Sequence, residues 1–370
     1  MSDTQKYAPG SHPDLPPPPG TIGVIGWLRA NLFSDITNTV MTLLSLYFLY
    51  WFLNASMSWF LLDAVVNANS RAECREMADG ACWAVITKRI GQFIYGFYPV
   101  DERWRPNLAF VGLFIAVLPL LYPKTPFRRH MLWFSAAYPV IAYYLLCGGI
   151  FGLKEVGTNT FGGFMLTMIV GVTGIAASLP LGIALSLGRQ SRLLSVRVIS
   201  IAFIEFMRGV PLITLLFVAS TMLNYFLPPG TTFNLLLRVL IMVTFFAAAY
   251  IAEVIRGGIQ AIPKGQYEAA QALGLNYWQT TRLITLPQAL KISIPGIVNT
   301  FIGLYKDTTL VVVIGLLDPL GIGRAALADA KWNGLSTETY MFVALFFFVS
   351  CFAMSRYSLW LEKRLSTEHK

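Results

Sequence analysis

The stretch Glu268-Ala269-Ala270-Gln271-Ala272-Leu273-Gly274-Leu275-Asn276-Tyr277-Trp278-Gln279-Thr280-Thr281-Arg282-Leu283-Ile284-Thr285-Leu286-Pro287 joins two long apolar runs. Residues 266–273 are predicted to form a short helix. Ala and Leu are strong helix formers, and Glu268 would place a carboxylate in the first turn, at the positive end of the helix dipole. Gly274 can take the left-handed conformation that ends such a helix. Asn276 can cap a second helix over 276–286. Pro287, which has no N–H, is expected to bend the chain before the next run. The local reading is a helix–turn–helix arm.

The flanking runs set the class. Apolar residues fill 55% of the 370 positions and charged residues only 13%, against about 25% charged in ordinary soluble domains. Some 20 helical residues cross a hydrocarbon layer of about 30 Å. Eight runs near that length are expected as spans: 37–62, 107–123, 131–151, 161–187, 210–227, 235–256, 293–316 and 340–360. The expected fold is therefore an all-α integral membrane protein in a lipid bilayer. The net charge of +9 does not indicate nucleic acid. Its Lys and Arg sit in short connections and form no basic stripe with interleaved aromatics. Residues 1–20 are polar and proline-rich and read as a disordered tail, not a secretory signal.

Short loops give an orientation. Lys124, Arg128 and Arg129, then Arg189, Arg192, Arg197 and Arg208, then Lys363, Arg364 and Lys370 mark cytoplasmic connections by the positive-inside rule. The connections 151–160 and 228–234 carry one Lys between them and should face outward. An even span count puts both termini in the cytoplasm. The segment 67–106 fits poorly: it holds Arg71, Arg75, Lys88, Arg89, Arg103 and Arg105, yet this topology places it outside. It is long, and the rule weakens with length; the alternative is a further span near Ile86 to Val100, against which Lys88 and Arg89 argue. The expected organisation is a cytoplasmic tail (1–36), accessory helices (37–154) with a periplasmic loop (67–106), a motif-rich core (155–362) with a cytoplasmic arm (257–290), and a short tail (363–370).

The spacing EAA-x3-G-x9-I-x-LP is complete from Glu268, Ala269 and Ala270 through Leu273 and Gly274 to Ile284, Leu286 and Pro287. It resembles the cytoplasmic coupling loop of the permease subunits of bacterial type I ABC importers. Phe206-Met207-Arg208-Gly209-Val210-Pro211-Leu212, the stretch from Ala249 to Gly258, and Gly303-Leu304-Tyr305-Lys306-Asp307-Thr308-Thr309-Leu310 look like the polar amino-acid permease branch. The N-terminal extension resembles, by length and composition, the M-type permease of general L-amino-acid transporters. The resemblance implies a type I permease core and a non-catalytic subunit in a bacterial inner membrane. It also implies two partner ATPase subunits that bind ATP and Mg, a sister permease forming a heterodimer, and a periplasmic amino-acid-binding protein. In agreement, the sequence has no GxxxxGK[ST] phosphate loop, so no cofactor is expected in this chain.

Two charged echoes, Glu205-x-x-Arg208-Gly209 and Glu253-x-x-Arg256-Gly257, place acid and base three residues apart, on one helix face. They read either as anchors of helix ends or as a hinge with Gly209 and Gly257 as its flexible points. Lys306 and Asp307 fall inside an apolar run. Burying an ion there costs at least about 2.5 kcal/mol, so such residues face a bundle interior or a wet cavity. Asp307 with Thr308 and Thr309 could cap a broken helix and line a substrate path, or lock neighbouring helices. Cys74 and Cys82 share the outer loop, where a disulfide is open to them. His12, His130 and His369 lie in tails or loops, so no metal site is expected, and Gly171, Gly174 and Gly182 read as close-packing positions. Two other classes stay open at this level: a self-contained ion-coupled secondary transporter using Lys306 and Asp307, and a non-transporting scaffold.

Overall fold

The computed structural model describes residues 23–122, 125–150, 152–222, 225 and 233–366. Residues 1–22 of the proline-rich tail, Lys124, residues 228–232 and residues 367–370, with His12 and His369 among them, lie outside the described residues. Seven helical runs are long and apolar enough to cross a membrane: Ile36–Leu62, Val100–Leu121, Arg128–Cys147, Gly163–Arg189, Leu235–Gln260, Tyr277–Ile314 and Ser336–Arg364. An eighth is a bent pair, Leu194–Gly209 with Leu212–Met222, turned through 103°. The fold is all-α, and seven of the expected spans have a counterpart among the described residues; in place of the expected straight span 210–227 stands the bent pair, whose described part ends at Met222.

The described residues divide into two compact units. The smaller covers residues 23–65 and 74–82. It holds α1 (Gly23–Asn31) and α2 (Ile36–Met57), which runs on through a π turn at Ser58–Leu62. Asp35 caps α2 by accepting from the Asn38 N–H at 2.7 Å. No α2 side chain is buried. A helix apolar on every side, with Leu43, Phe48, Trp51 and Phe52 all exposed, suits lipid. Cys74 and Cys82 are joined by a disulfide across eight residues.

The larger unit covers residues 66–73 and 83–366 of the description. It contains the patterned part from residue 155 on and also α4 (Ala84–Tyr95), α5 (Trp104–Leu121) and α6 (Arg128–Cys147). Its centre is α7 (Gly163–Arg189) against α10 (Leu235–Gln260), with α13 (Leu286–Asp307) packed on α10. Small residues allow this approach. A Cβ on Gly174 would stand 3.0 Å from Val243 Cγ1, and one on Gly182 only 2.6 Å from Ile251 Cγ2. On Gly171 it would meet the Tyr305 ring at 3.1 Å.

Four local features differ from expectation. The connection 188–208, read as a loop from its arginines, is mostly α8 (Leu194–Gly209). Its apolar residues from Val198 to Met207 recur at helical spacing and bury Ser200, Ile204 and Met207. Pro211 then forces Val210 into extended backbone (φ −109°, ψ 132°), and α9 (Leu212–Phe217) leaves at the bend. The segment 67–106 carries helices α3 (Arg71–Met77) and α4, and α4 buries Ala84, Val85, Ile86 and Phe93. Its Arg105 is wholly buried, pairs with Glu102 at 2.9 Å and gives both terminal nitrogens to the Lys154 carbonyl at 2.8 Å. Finally, Pro287 does not break the chain. The wider π turn Thr281–Thr285 shifts the hydrogen-bond register just before it, Pro287 falls in the first turn of α13, and the run from Tyr277 continues to Ile314.

Candidate functional site

The arm leaves α10 through Ala261, Ile262 and Pro263. Pro263 pre-sets the helical turn, so α11 spans Lys264–Ala272 and begins earlier than expected. Glu268 therefore stands in the second turn rather than the first, exposed beside Ala269, while Ala270 is fully buried. Gly274 has φ +72°. Its N–H donates to the Gln271 carbonyl at 2.9 Å, and the Leu275 N–H to that of Ala270 at 3.1 Å. These bonds satisfy carbonyls that the helix end leaves open.

Asn276 caps α12 (Tyr277–Thr280) reciprocally. Its side chain accepts from the Gln279 N–H at 2.9 Å, and Gln279 Oε1 accepts from the Asn276 N–H at 3.0 Å. Ile284 and Leu286 are half-buried and Pro287 is exposed. Tyr267 anchors the arm in the cluster of Ile251, Ile255, Ile259, Ile262, Ala289 and Ile297. The outer side of the arm stays apolar and bare: Leu273 is 77% and Trp278 72% exposed, with Tyr277 and Leu283 beside them. These four side chains form an exposed apolar patch on an otherwise polar connection.

The two charged echoes meet at the ends of α7, α8 and α10. Glu253 and Arg256 pair within their helix, Nε to Oε2 at 3.0 Å. Glu205 instead receives Arg189 Nη1 at 2.9 Å, and the same nitrogen reaches Glu253 Oε1 at 2.5 Å. Arg208 lies 3.7 Å from Glu253 Oε2 and over the Tyr250 ring at 5.6 Å. The sequence reading takes Arg189 only as one of the charges of a cytoplasmic connection and does not place it with the two echoes. A cation at the last residue of α7 suits the negative end of the helix, and that was the one local signal available. Gly209 stands directly before the 103° bend. Gly257 lies within unbroken α10, and a Cβ on either glycine would meet open space.

The α13 helix ends at Asp307 and tightens into a 3₁₀ segment over Thr308–Ile314. The threonine hydroxyls, not the Asp307 carboxylate, close the helix end. Thr308 Oγ1 donates to the Tyr305 carbonyl at 2.7 Å and Thr309 Oγ1 to the Lys306 carbonyl at 2.9 Å. Asp307 itself makes no capping bond. Thr308 is buried, Asp307 and Thr309 are half-buried and Lys306 is exposed.

Beyond the spans, Asp318 caps α14 (Pro319–Leu327), accepting from the Gly321 N–H at 2.9 Å. Its second oxygen is buried without a partner. Burial pushes its carboxyl up to about 6, against the opposing pull of its backbone hydrogen bonds and Arg324. No cluster of metal-ligating side chains occurs among the described residues.

Residues 178–367 match the family described as "Binding-protein-dependent transport system inner membrane component". The chain is 48% identical, over the whole of both proteins, to the glutamate/glutamine/aspartate/asparagine transport system permease protein BztC of Rhodobacter capsulatus. It is 46% identical to the inner membrane amino-acid ABC transporter permease protein YhdY of Escherichia coli K12, over 96% of this chain and 97% of that one. A solved structure of an amino acid ABC transporter with histidines overlays 54% of this chain and 91% of its own, with 27% identity and a TM-score of 0.49.

Proposed function

Since the chain belongs to the binding-protein-dependent transport system inner membrane components, as a permease of the polar amino-acid ABC importers, we propose that it is the translocation subunit of an ATP-driven importer of polar L-amino acids. The observation that carries this reading is the arm: two capped helices around a left-handed glycine, presenting Leu273, Tyr277, Trp278 and Leu283 to a partner. ATP and Mg would be bound by two partner ATPases docked on that patch around Glu268–Gly274. A periplasmic binding protein would deliver substrate, and a sister permease would complete the path. The name of one full-length relative, BztC, favours acidic amino acids and their amides as substrates.

In this mechanism, closure of the ATPases displaces the arm. Because α11 follows α10 after three residues and Tyr267 is packed into the α10–α13 cluster, the displacement tilts both helices together. Access to the substrate path then alternates between the two sides. The change of pitch at Lys306–Thr309 would lie on that path. A zwitterion needs partners of both signs, and Lys306 and Asp307 supply them next to the point where the helix changes pitch.

The test is mild-detergent purification followed by reconstitution. The chain should bring down an ATPase in stoichiometric yield. Proteoliposomes of the complex should take up L-glutamate, L-glutamine, L-aspartate or L-asparagine only with ATP and the binding protein. Uptake by the chain alone on an ion gradient would instead establish a secondary transporter. Asp307→Asn is expected to cut uptake roughly tenfold or more, with little change in complex yield. A matched fall in both would make Asp307 structural.

A further inference from the structure

The ionic cluster at the ends of α7, α8 and α10 forms one continuous path. At one end, Gln260 is the last residue of α10 and leads into the arm. Arg256 Nη1 donates to Gln260 Oε1 at 2.8 Å, and its Nε and Nη2 hold Glu253 Oε2 at 3.0 and 2.9 Å. The other carboxylate oxygen of Glu253 takes Arg189 Nη1 at 2.5 Å, which also holds Glu205 on α8 at 2.9 Å. Glu205 and Arg208 lie in the last turn and a half before the 103° bend.

Two routes join Glu253 to the bend, and they differ in quality. The direct one, Arg208 to Glu253, is 3.7 Å long, beyond hydrogen-bond range. The route through Arg189 uses two hydrogen-bonded contacts from one nitrogen. Charge-assisted bonds of this kind are the stronger and more directional type. Glu253 is also the most enclosed member of the group, with 14% of its side chain exposed, so its contacts are the least screened by solvent. An isolated surface ion pair would contribute little, but a network anchored on a largely enclosed member differs from that case.

We infer that Arg189 is a positioning residue that carries displacement of the coupling arm to the bent pair α8–α9 by clamping Glu205 to Glu253. This rests on the importer reading above. Arg189 touches neither substrate nor nucleotide in that reading. It sets whether arm and bend move as one body.

The experiment uses the assembled complex in proteoliposomes. It compares the wild type with Arg189→Ala, Arg189→Lys and Glu205→Gln. The readouts are ATPase yield on co-purification, and the ratio of hydrolysis with the binding protein plus an L-glutamate/L-glutamine mixture to hydrolysis without them. Glu205 is 55% exposed, so its amide variant tests the clamp with little risk to folding. The expected result is normal assembly with the stimulation ratio reduced about tenfold in Arg189→Ala and Glu205→Gln, the size of a typical coupling free energy. Arg189→Lys, which keeps a cation on a shorter side chain with a differently shaped head, should recover an intermediate ratio. Wild-type stimulation in either charge-removing variant overturns the proposal. So does loss of assembly that parallels loss of stimulation, which would make the cluster merely structural. A wild-type complex with no ATP-dependent uptake would instead remove the importer reading, and the two failures are distinguishable.

Discussion

At the scale of single residues, Gly274 and Asp318 show how backbone and solvent set what a position tolerates. Gly274 sits at φ +72° with open space where a Cβ would project, so a side chain there meets strain in the backbone and not a collision. Gly274→Val should cost about 1–2 kcal/mol and tilt α11. Membrane insertion should persist while substrate-stimulated ATPase activity and uptake are lost. Gly274→Asn, which visits the left-handed region more readily, should retain most of both. A valine variant with normal uptake would separate this turn from coupling. For Asp318 the folded carboxyl holds its proton up to about 6, above its ordinary value of 3.8. The sign follows: its contribution to stability is full below that ordinary value and is lost as pH rises through about 6. Asp318→Asn keeps the cap on the Gly321 N–H and removes the charge. It should raise the thermal midpoint at pH 7.5, by on the order of 3 kcal/mol of stability, and do roughly a third as much at pH 4.5, where the loss has only begun. Equal effects at both pH values would contradict the burial argument.

At the scale of elements, what the sequence disclosed depended on range. The arm was legible because a left-handed glycine and an asparagine cap are decided by a few adjacent residues. The spans were legible because hydropathy is a sum over about 20 positions. Arg189 was not, because its partners lie 16 and 64 residues away and nothing in a local window brings three helix ends together. The helix α8 was hidden by its own arginines, which look like a loop in a hydropathy profile. The start of α11 was misplaced because Pro263 outweighed the acid expected in the first turn. Packing of α7 on α10 rests on small residues that the sequence did flag. Gly182→Leu should lower complex stability by roughly 1–3 kcal/mol, since Ile251 and the Ala248 carbonyl stand in the way. Gly209→Ala, with nothing near, should leave the thermal midpoint unchanged. A tolerant Gly182→Leu would mean that the helices do not meet this closely in the membrane.

At the scale of the whole molecule, four of the six awkward basic charges of 67–106 have local employment in the larger unit. Arg71 donates to the Asn333 carbonyl at 2.8 Å, and Arg89 pairs with Asp329. Arg103 lies over the Tyr95 ring at 5.1 Å, and Arg105 is bound to Glu102 and Lys154. Charges satisfied in this way say little about which side a segment faces. The ties to Asp329 and Asn333 place Arg71 and Arg89 on the same side as the connection between the last two spans. We expect that side to be the periplasm. Lys88→Cys, in a background with Cys74 and Cys82 replaced by Ser, should react with an impermeant thiol reagent in cells whose outer membrane alone is permeabilised. Labelling only after inner-membrane lysis would reverse the topology. The last helix, α15 (Ser336–Ser366), has 31 residues and so reaches about 46 Å at 1.5 Å per residue, well past the hydrocarbon. Its uncharged stretch ends before Arg356, and beyond it Tyr357 bonds the Leu121 carbonyl at 2.7 Å while Arg364 lies over Trp360 at 5.3 Å. We expect that distal third to reach the headgroup layer, where Tyr357 and Trp360 would sit as interfacial aromatics. Lipids with shorter or longer tails are then expected to shift these aromatics relative to the headgroups, and the helix would answer by changing its tilt.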